Sequence, residues 1–246
     1  MDKLKRTLVR VAEAPDSSNA IVCIPQAGAG VSSFVPLAKE LSGTASVWAA
    51  RFPGHEGRTS ERLLTSIEKM ATELIDAVRD IEVTNIVLFG YCSGAYVAYE
   101  LAHLLAIGNR TWPNAWLALA AQEAPPSSRP EPGAHPPALP DLLREMGGTS
   151  EAFFQSQELM ELLIPVIEAD FRAAWNYHVP QQRARLTVPI AVLSGKDDHF
   201  LRAPQLQAWR ERTARTFRME FFDGGHFFLS NQVSAVSRLL LSLLDG

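Results

Sequence analysis

An α/β fold with a mostly parallel central sheet and helices on both faces is predicted by three features of this 246-residue chain. Short apolar runs bounded by turn residues alternate with longer stretches whose apolar residues recur at helical spacing. The runs at 20–24, 86–89, 116–120 and 190–193 are apolar on both faces, as strands covered on both sides must be. The alternation itself requires crossover helices between parallel neighbours. The length suffices for one large core. The expected organisation is a single domain over residues 1–246 with an inserted segment at about 125–180.

Residues 7–11 alternate weakly and read as an edge strand, and 14–19 form a turn. Strand 20–24 runs into Pro25-Gln26-Ala27-Gly28-Ala29-Gly30, followed by a helix over about 32–41. These glycines do not fit the dinucleotide fingerprint, and no P-loop lysine follows. Strand 47–50 ends in Arg51-Phe52-Pro53-Gly54-His55-Glu56-Gly57-Arg58, at a strand's carboxyl end, where α/β proteins bind ligands. Arg51, His55 and Arg58 could serve a phosphate or a partner, or belong to a plain solvated loop. Ser66 is the expected cap of a helix over 66–81, with Ile67, Met70, Ala71, Leu74, Ile75 and Val78 on its apolar face.

The centre of the pattern is Leu88-Phe89-Gly90-Tyr91-Cys92-Ser93-Gly94-Ala95-Tyr96. A buried strand meets a Gly-x-Cys-x-Gly turn and then a helical run, 95–105. This is the nucleophile elbow of the α/β-hydrolase fold, which strains its central residue and exposes it at the tip of the sheet. The glycine frame centres on Cys92. Centring on Ser93 would put Tyr91 and Ala95 at the flanks and break the frame. The nucleophile is therefore a thiol. In this fold the loop after the earlier strand gives one oxyanion-hole N–H and the residue after the nucleophile gives the other, which assigns the amides of Ala27 and Ser93.

Residues 124–140 hold seven prolines and read as a linker into an insertion. Residues 139–177 are then helical, with Asp141 and Thr149 as expected caps. Pro165 should kink or split the run from 157 to 177. Phe153, Phe154, Leu159, Leu163, Ile167, Phe171 and Trp175 exceed what docking one helix requires, so some of them should face a substrate channel. The segment reads as a helical lid over the elbow. After strand 190–193, residues 204–213 form an amphipathic helix, 219–222 the last strand, and about 232–244 the closing helix.

A thiol nucleophile needs a base, and the base needs an acid to fix its tautomer. In the chain order nucleophile–acid–base, the acid comes from Asp197-Asp198 and the base is His226, in the Gly-Gly-His turn after the last strand. Asp198 is the first choice of acid and Asp197 the second. His103 (inside a helix), His135 (in the proline linker), His178 and His199 compete less well as bases. Gln26, Tyr91 and Phe227 flank the oxyanion loop, the nucleophile and the base, and are the candidate substrate contacts.

The formal charge of −4 and the absence of a basic cluster give no footing for nucleic acid. No apolar run is long enough for a membrane span, and no signal peptide is evident. The cysteines and histidines lack metal-ligand spacing, so neither a metal nor a cofactor is expected. Cys23, within a buried strand, reads as a small hydrophobe. Pairing it with Cys92 would cap the nucleophile, so a reducing cytoplasm fits better. A monomer is expected.

Four stretches carry a resemblance. Ile24-Pro25-Gln26-Ala27-Gly28-Ala29-Gly30, the Pro53-Gly54-His55-Glu56-Gly57-Arg58 loop, Ile164-Pro165-Val166-Ile167-Glu168-Ala169-Asp170-Phe171 and Gly224-Gly225-His226-Phe227-Phe228 resemble motifs of type II thioesterases of nonribosomal peptide and polyketide synthesis. The elbow departs from that family's Gly-His-Ser-Met-Gly at Tyr91, Cys92 and Ser93. Gln26 replaces a usual histidine, and Glu168 stands where arginine is common. The resemblance implies an acyl or aminoacyl group held as a thioester on the phosphopantetheine arm of an acyl or peptidyl carrier protein, and its hydrolysis. A Cys-bound acyl group stays activated, so transfer to a second thiol or amine is the alternative outcome. A non-catalytic carrier-protein binder and a small-ester esterase are further readings. The intact Cys92–His226–Asp198 set weighs against the first, and the lid stretch against the second.

Overall fold

The computed structural model describes residues 6–107, 112, 114–128, 130–131 and 139–245. His135 and part of the proline linker lie outside the described residues. The described strands are β1 (Leu8–Ala12), β2 (Asn19–Ile24), β3 (Ser46–Ala50), β4 (Asn85–Tyr91), β5 (Asn114–Ala120), β6 (Ile190–Gly195) and β7 (Phe217–Phe222). They form a seven-stranded sheet in the order β1-β3-β2-β4-β5-β6-β7. Only β1 runs antiparallel to its neighbour.

Alternation along each central strand divides the core into two layers. Ala20, Val22 and Ile24 of β2 face one side with Ile86 and Leu88 of β4, while Ile21, Cys23, Val87 and Phe89 face the other. The first layer is covered by α2 (Ile67–Arg79) and α3 (Ser93–Ile107), and the second by α1 (Val35–Leu41) and α8 (Val233–Leu244). Ser66 caps α2 as expected, its hydroxyl accepting from the Lys69 N–H at 3.4 Å. Ile67, Met70, Ala71, Leu74 and Val78 of α2 are buried, so cutting Leu74 to alanine would cost about 2–5 kcal/mol. Cys23 is fully buried and unpaired, and burial pushes its thiol pKa up. Register at the amino ends of β2, β4 and β5 is tied by side chains. Asn85 Nδ2 donates to Asn19 Oδ1 at 2.7 Å, and Asn114 Nδ2 donates to Asn85 Oδ1 at 2.8 Å.

Between β5 and β6 come α4 (Leu139–Met146), α5 (Glu151–Gln155) and α6 (Gln157–Trp175). Pro165 does not split α6, which is one helix across it. The packing of Ile167, Asp170 and Ala173 against the rest of the chain outweighs the lost backbone hydrogen bond. The expected caps are displaced too. Asp141 sits in the first turn of α4, which begins at Leu139, and Ser150 rather than Thr149 precedes α5. The Ser156 hydroxyl caps α6, accepting from the Leu159 N–H at 3.2 Å. The predicted 204–213 helix is a short α7 (Ala203–Gln207) that tightens into a 3-10 turn, Ala208–Arg212. Another 3-10 turn, Val31–Phe34, leads into α1.

Candidate active site

The elbow between β4 and α3 is built as the glycine frame requires. Cys92 has φ 49°, one of two non-glycine residues with positive φ among the described residues. A Cβ on Gly90 would lie 2.4 Å from the Gly94 carbonyl oxygen, and one on Gly94 would lie 2.3 Å from the Ile24 carbonyl oxygen. A larger residue at 90 would force β4 and α3 apart, and one at 94 would push α3 off the end of β2. The Cys92 N–H donates to the Ala120 carbonyl at 2.8 Å, and the Ala95 N–H donates to the Cys92 carbonyl at 2.8 Å. The turn is thereby tied to β5 and to its own helix.

His226 and Asp198 converge on this point from the ends of β7 and β6. His226 Nδ1–H donates to Asp198 Oδ2 at 2.9 Å, and Asp198 Oδ1 accepts from the Phe200 N–H at 3.1 Å. Both side chains are buried, whereas Asp197 points to solvent, so of the two candidate acids it is Asp198 that meets the ring. Burial pulls the His226 pKa down, but Asp198 and then the Cys92 sulfur outweigh it and push it up to about 10. Nε2 is buried and lacks a hydrogen-bond partner among the described residues, which leaves it open towards Cys92. The other described histidines lie elsewhere. His103 is buried beside Tyr99, its pKa lowered to about 4 by burial and Arg183, while His178 is half-buried and His199 exposed.

Cys92, Ser93 and His226 open into a pocket of about 700 Å³ walled by Tyr96, Met146, Phe171, Trp175, Tyr177 and Leu201. Of the seven large apolar residues singled out in the insertion, Phe171 and Trp175 reach this wall. Phe153 and Ile167 pack into the insertion's own cluster, and Leu159 is exposed. Ser93 lines the pocket, and the Ala27 side chain packs under the insertion. Neither the Ala27 nor the Ser93 amide is used by a loop or cap hydrogen bond among the described residues. Gln26, Tyr91 and Phe227 are not brought to the Cys92 pocket. They line a neighbouring one of about 400 Å³ with Ser33 and Gly148.

The loop at 51–58 is not a solvated one. His55 and Arg58 are 4% and 7% exposed. The Arg58 guanidinium donates to Glu61, Glu73 and the Arg51 carbonyl, so it is already engaged within the chain. His55 Nε2 lies 2.8 Å from Asp170 Oδ2 on α6, a link across 115 residues that sequence reasoning missed. The only hint was that both residues fall in motif-like stretches. Glu168, unexplained from sequence, pairs with Arg172 at 2.8 Å on the exposed face of α6.

The thioesterase domain family matches residues 19–243. Thioesterase PikA5 of Streptomyces venezuelae is 32% identical over 226 residues, covering 89% of this chain and 78% of that protein. Phenyloxazoline synthase MbtB of Mycobacterium tuberculosis is 32% identical over 229 residues, 92% of this chain, and the chain spans 16% of the length of that relative. Among solved structures, the type II thioesterase BorB from the borrelidin biosynthetic cluster shares the fold with a TM-score of 0.85, at 28% identity over 97% of each chain. From the domain match and the likeness to PikA5, the chain belongs to the thioesterase family.

Proposed function

We propose that the protein hydrolyses acyl or aminoacyl thioesters on the phosphopantetheine arm of carrier proteins of nonribosomal peptide or polyketide synthesis, with Cys92 as nucleophile. The observation that carries this reading is the strained Cys92 at the mouth of a largely apolar pocket, with the buried Asp198–His226 pair behind it. His226 already holds the proton given up by the thiol, and the sulfur attacks the thioester carbonyl. The Ala27 and Ser93 amides receive the negative charge on oxygen. The pantetheine thiol leaves with the proton from His226, and Cys92 holds the acyl group. Water, deprotonated by His226, then releases the acid and restores the thiol. Asp198 holds the ring in the tautomer both steps need.

In this reading residues 1–246 are one domain, and α4–α6 are a lid that admits the pantetheine arm. The enzyme holds no cofactor of its own. It works as a monomer in the cytoplasm, its partner being the carrier protein. Among the described residues no helix is long and apolar enough to cross a membrane. Gln26, Tyr91 and Phe227 would then act on the substrate from the neighbouring pocket, at one remove from the sulfur.

Cys92 itself favours a second outcome. An acyl group on sulfur keeps the activation of the original thioester, and thiols or amines attack it more readily than water does. The acyl-enzyme could therefore pass its cargo to a second carrier. Intact-protein mass spectrometry separates the two. An acylated carrier protein is incubated with the enzyme and then with an empty holo-carrier. Loss of the acyl group as free acid, abolished in Cys92→Ala, supports hydrolysis. Appearance of the acyl group on the second carrier makes the protein a transferase, and turnover that persists in Cys92→Ala rejects both.

A further inference from the structure

An oxyanion hole works only if its donors are held before the charge develops. The Ala27 amide belongs to a loop, 25–30, with few internal ties: the Ala29 N–H donates to the Gln26 carbonyl at 3.1 Å. The next amide is gripped from outside. Gly28 N–H donates to Asp170 Oδ2 on α6 at 2.8 Å. The same oxygen takes His55 Nε2 at 2.8 Å, and His55 Nδ1 lies 3.1 Å from the Pro53 carbonyl oxygen. Both oxygens are acceptors, so each ring nitrogen faces a group to which it can donate. Burial pulls the His55 pKa down, but Asp170 outweighs this and raises it.

The apolar side of α6 holds the same residue. Ile167 lies one turn before Asp170, and a Cβ on Gly28 would sit 2.2 Å from Ile167 Cγ1. Gly28 also has φ +72°, which a side chain would strain. Asp170 is 4% exposed, and its Oδ1 is buried with no hydrogen-bond partner among the described residues. A buried carboxylate with one oxygen unsatisfied costs stability, so fold stability alone does not account for it.

We propose that Asp170, itself held by His55, is a positioning residue for the oxyanion hole: it fixes Gly28 and thereby the Ala27 amide. This rests on the reading of Cys92 as nucleophile and Ala27 as oxyanion donor. Because α6 also carries Phe171 and Trp175 of the pocket wall, the helix that shapes the acyl site completes the hole only while seated on loop 25–30.

Two reactions at the same sulfur test this in Asp170→Ala and the isosteric Asp170→Asn. Iodoacetamide alkylates Cys92 by displacing iodide at a saturated carbon, and no carbonyl oxygen gains charge. An acyl-pantetheine thioester acylates Cys92 through a tetrahedral oxyanion and releases pantetheine thiol. The expected result in Asp170→Ala is an acylation rate roughly 10- to 100-fold lower, with alkylation within about two-fold of wild type. Asp170→Asn should lose less, since its amide oxygen can still accept from Gly28. Acylation and alkylation falling together would reduce Asp170 to support of the fold and overturn the proposal, as would acylation unchanged in both variants. Failure of wild-type Cys92 ever to gain the acyl mass would instead overturn the nucleophile assignment, and the proposal with it.

Discussion

Tyr91 Oη donates a 2.7 Å hydrogen bond to the carbonyl oxygen of His226, so the residue before Cys92 fastens the loop that carries His226. The hydroxyl also accepts from the Leu229 N–H at 3.4 Å, and the ring lies stacked 6.4 Å from Phe227. Burial pushes the phenol pKa up, so the hydroxyl keeps the proton it donates. In Tyr91→Phe the ring stays and the buried carbonyl loses its donor, which should cost about 1–3 kcal/mol. Urea unfolding measures that loss. Turnover should fall with it, because His226 would no longer be held against Cys92.

The pH dependence of stability follows from His226. Its folded pKa, pushed up to about 10 from an ordinary 6.5, lies above the unfolded one. The stabilisation from the extra proton is therefore complete below about 6.5 and disappears as pH rises through about 10. The difference in urea midpoint between wild type and Asp198→Asn should be largest at the acid end of that window and shrink towards its alkaline end. A difference that grows with pH would contradict the assignment of Asp198 as the group that holds the ring charged.

Serine at position 92 should change what happens to the acyl group rather than whether it is captured. Cys92→Ser would form an oxygen ester, which is less reactive towards thiols than the acyl-Cys it replaces. The ratio of second-carrier product to free acid should fall at least several-fold, read by mass spectrometry of both carriers. An unchanged ratio would show that the acceptor, not the nucleophile, decides the outcome.

Pro165→Ala should stabilise the protein by roughly 1–3 kcal/mol, because α6 regains a backbone donor inside an unbroken helix. Thermal unfolding checks the sign. A lower Tm would mean that the lost ring contacts outweigh the restored bond.

The sheet and the elbow were legible because they depend on local pattern. Apolar runs such as 86–89 are bounded by turn residues, and Gly90 and Gly94 leave one register for the central residue. The contact between Asp198 and His226 was legible because fold order limits which strand ends can meet at the elbow. The insertion was less so. The cap at 149 missed because Thr149 and Ser150 are neighbours and either could precede the helix, and the one at 141 because α4 already starts at Leu139. Pro165 does not split the run because propensity is local, while what holds α6 together is its contact with the rest of the chain. His55 and Asp170 could not be paired from sequence at all. Each is an ordinary polar residue in its own segment, and the bond forms only after β3 and α6 are brought to the same loop.

The asparagine ladder Asn19–Asn85–Asn114 has a consequence at the other end of the sheet. It acts as a datum line, setting three strands level where they begin. From there β4 runs Asn85–Tyr91 to the elbow, about 23 Å at the usual rise per residue. β2 ends just before loop 25–30, and β5 ends at the Ala120 carbonyl that anchors Cys92. Sulfur and amide donors can therefore meet at one height because their strands were levelled together at the base. A slip of one residue there would carry the thiol to the opposite face of the sheet.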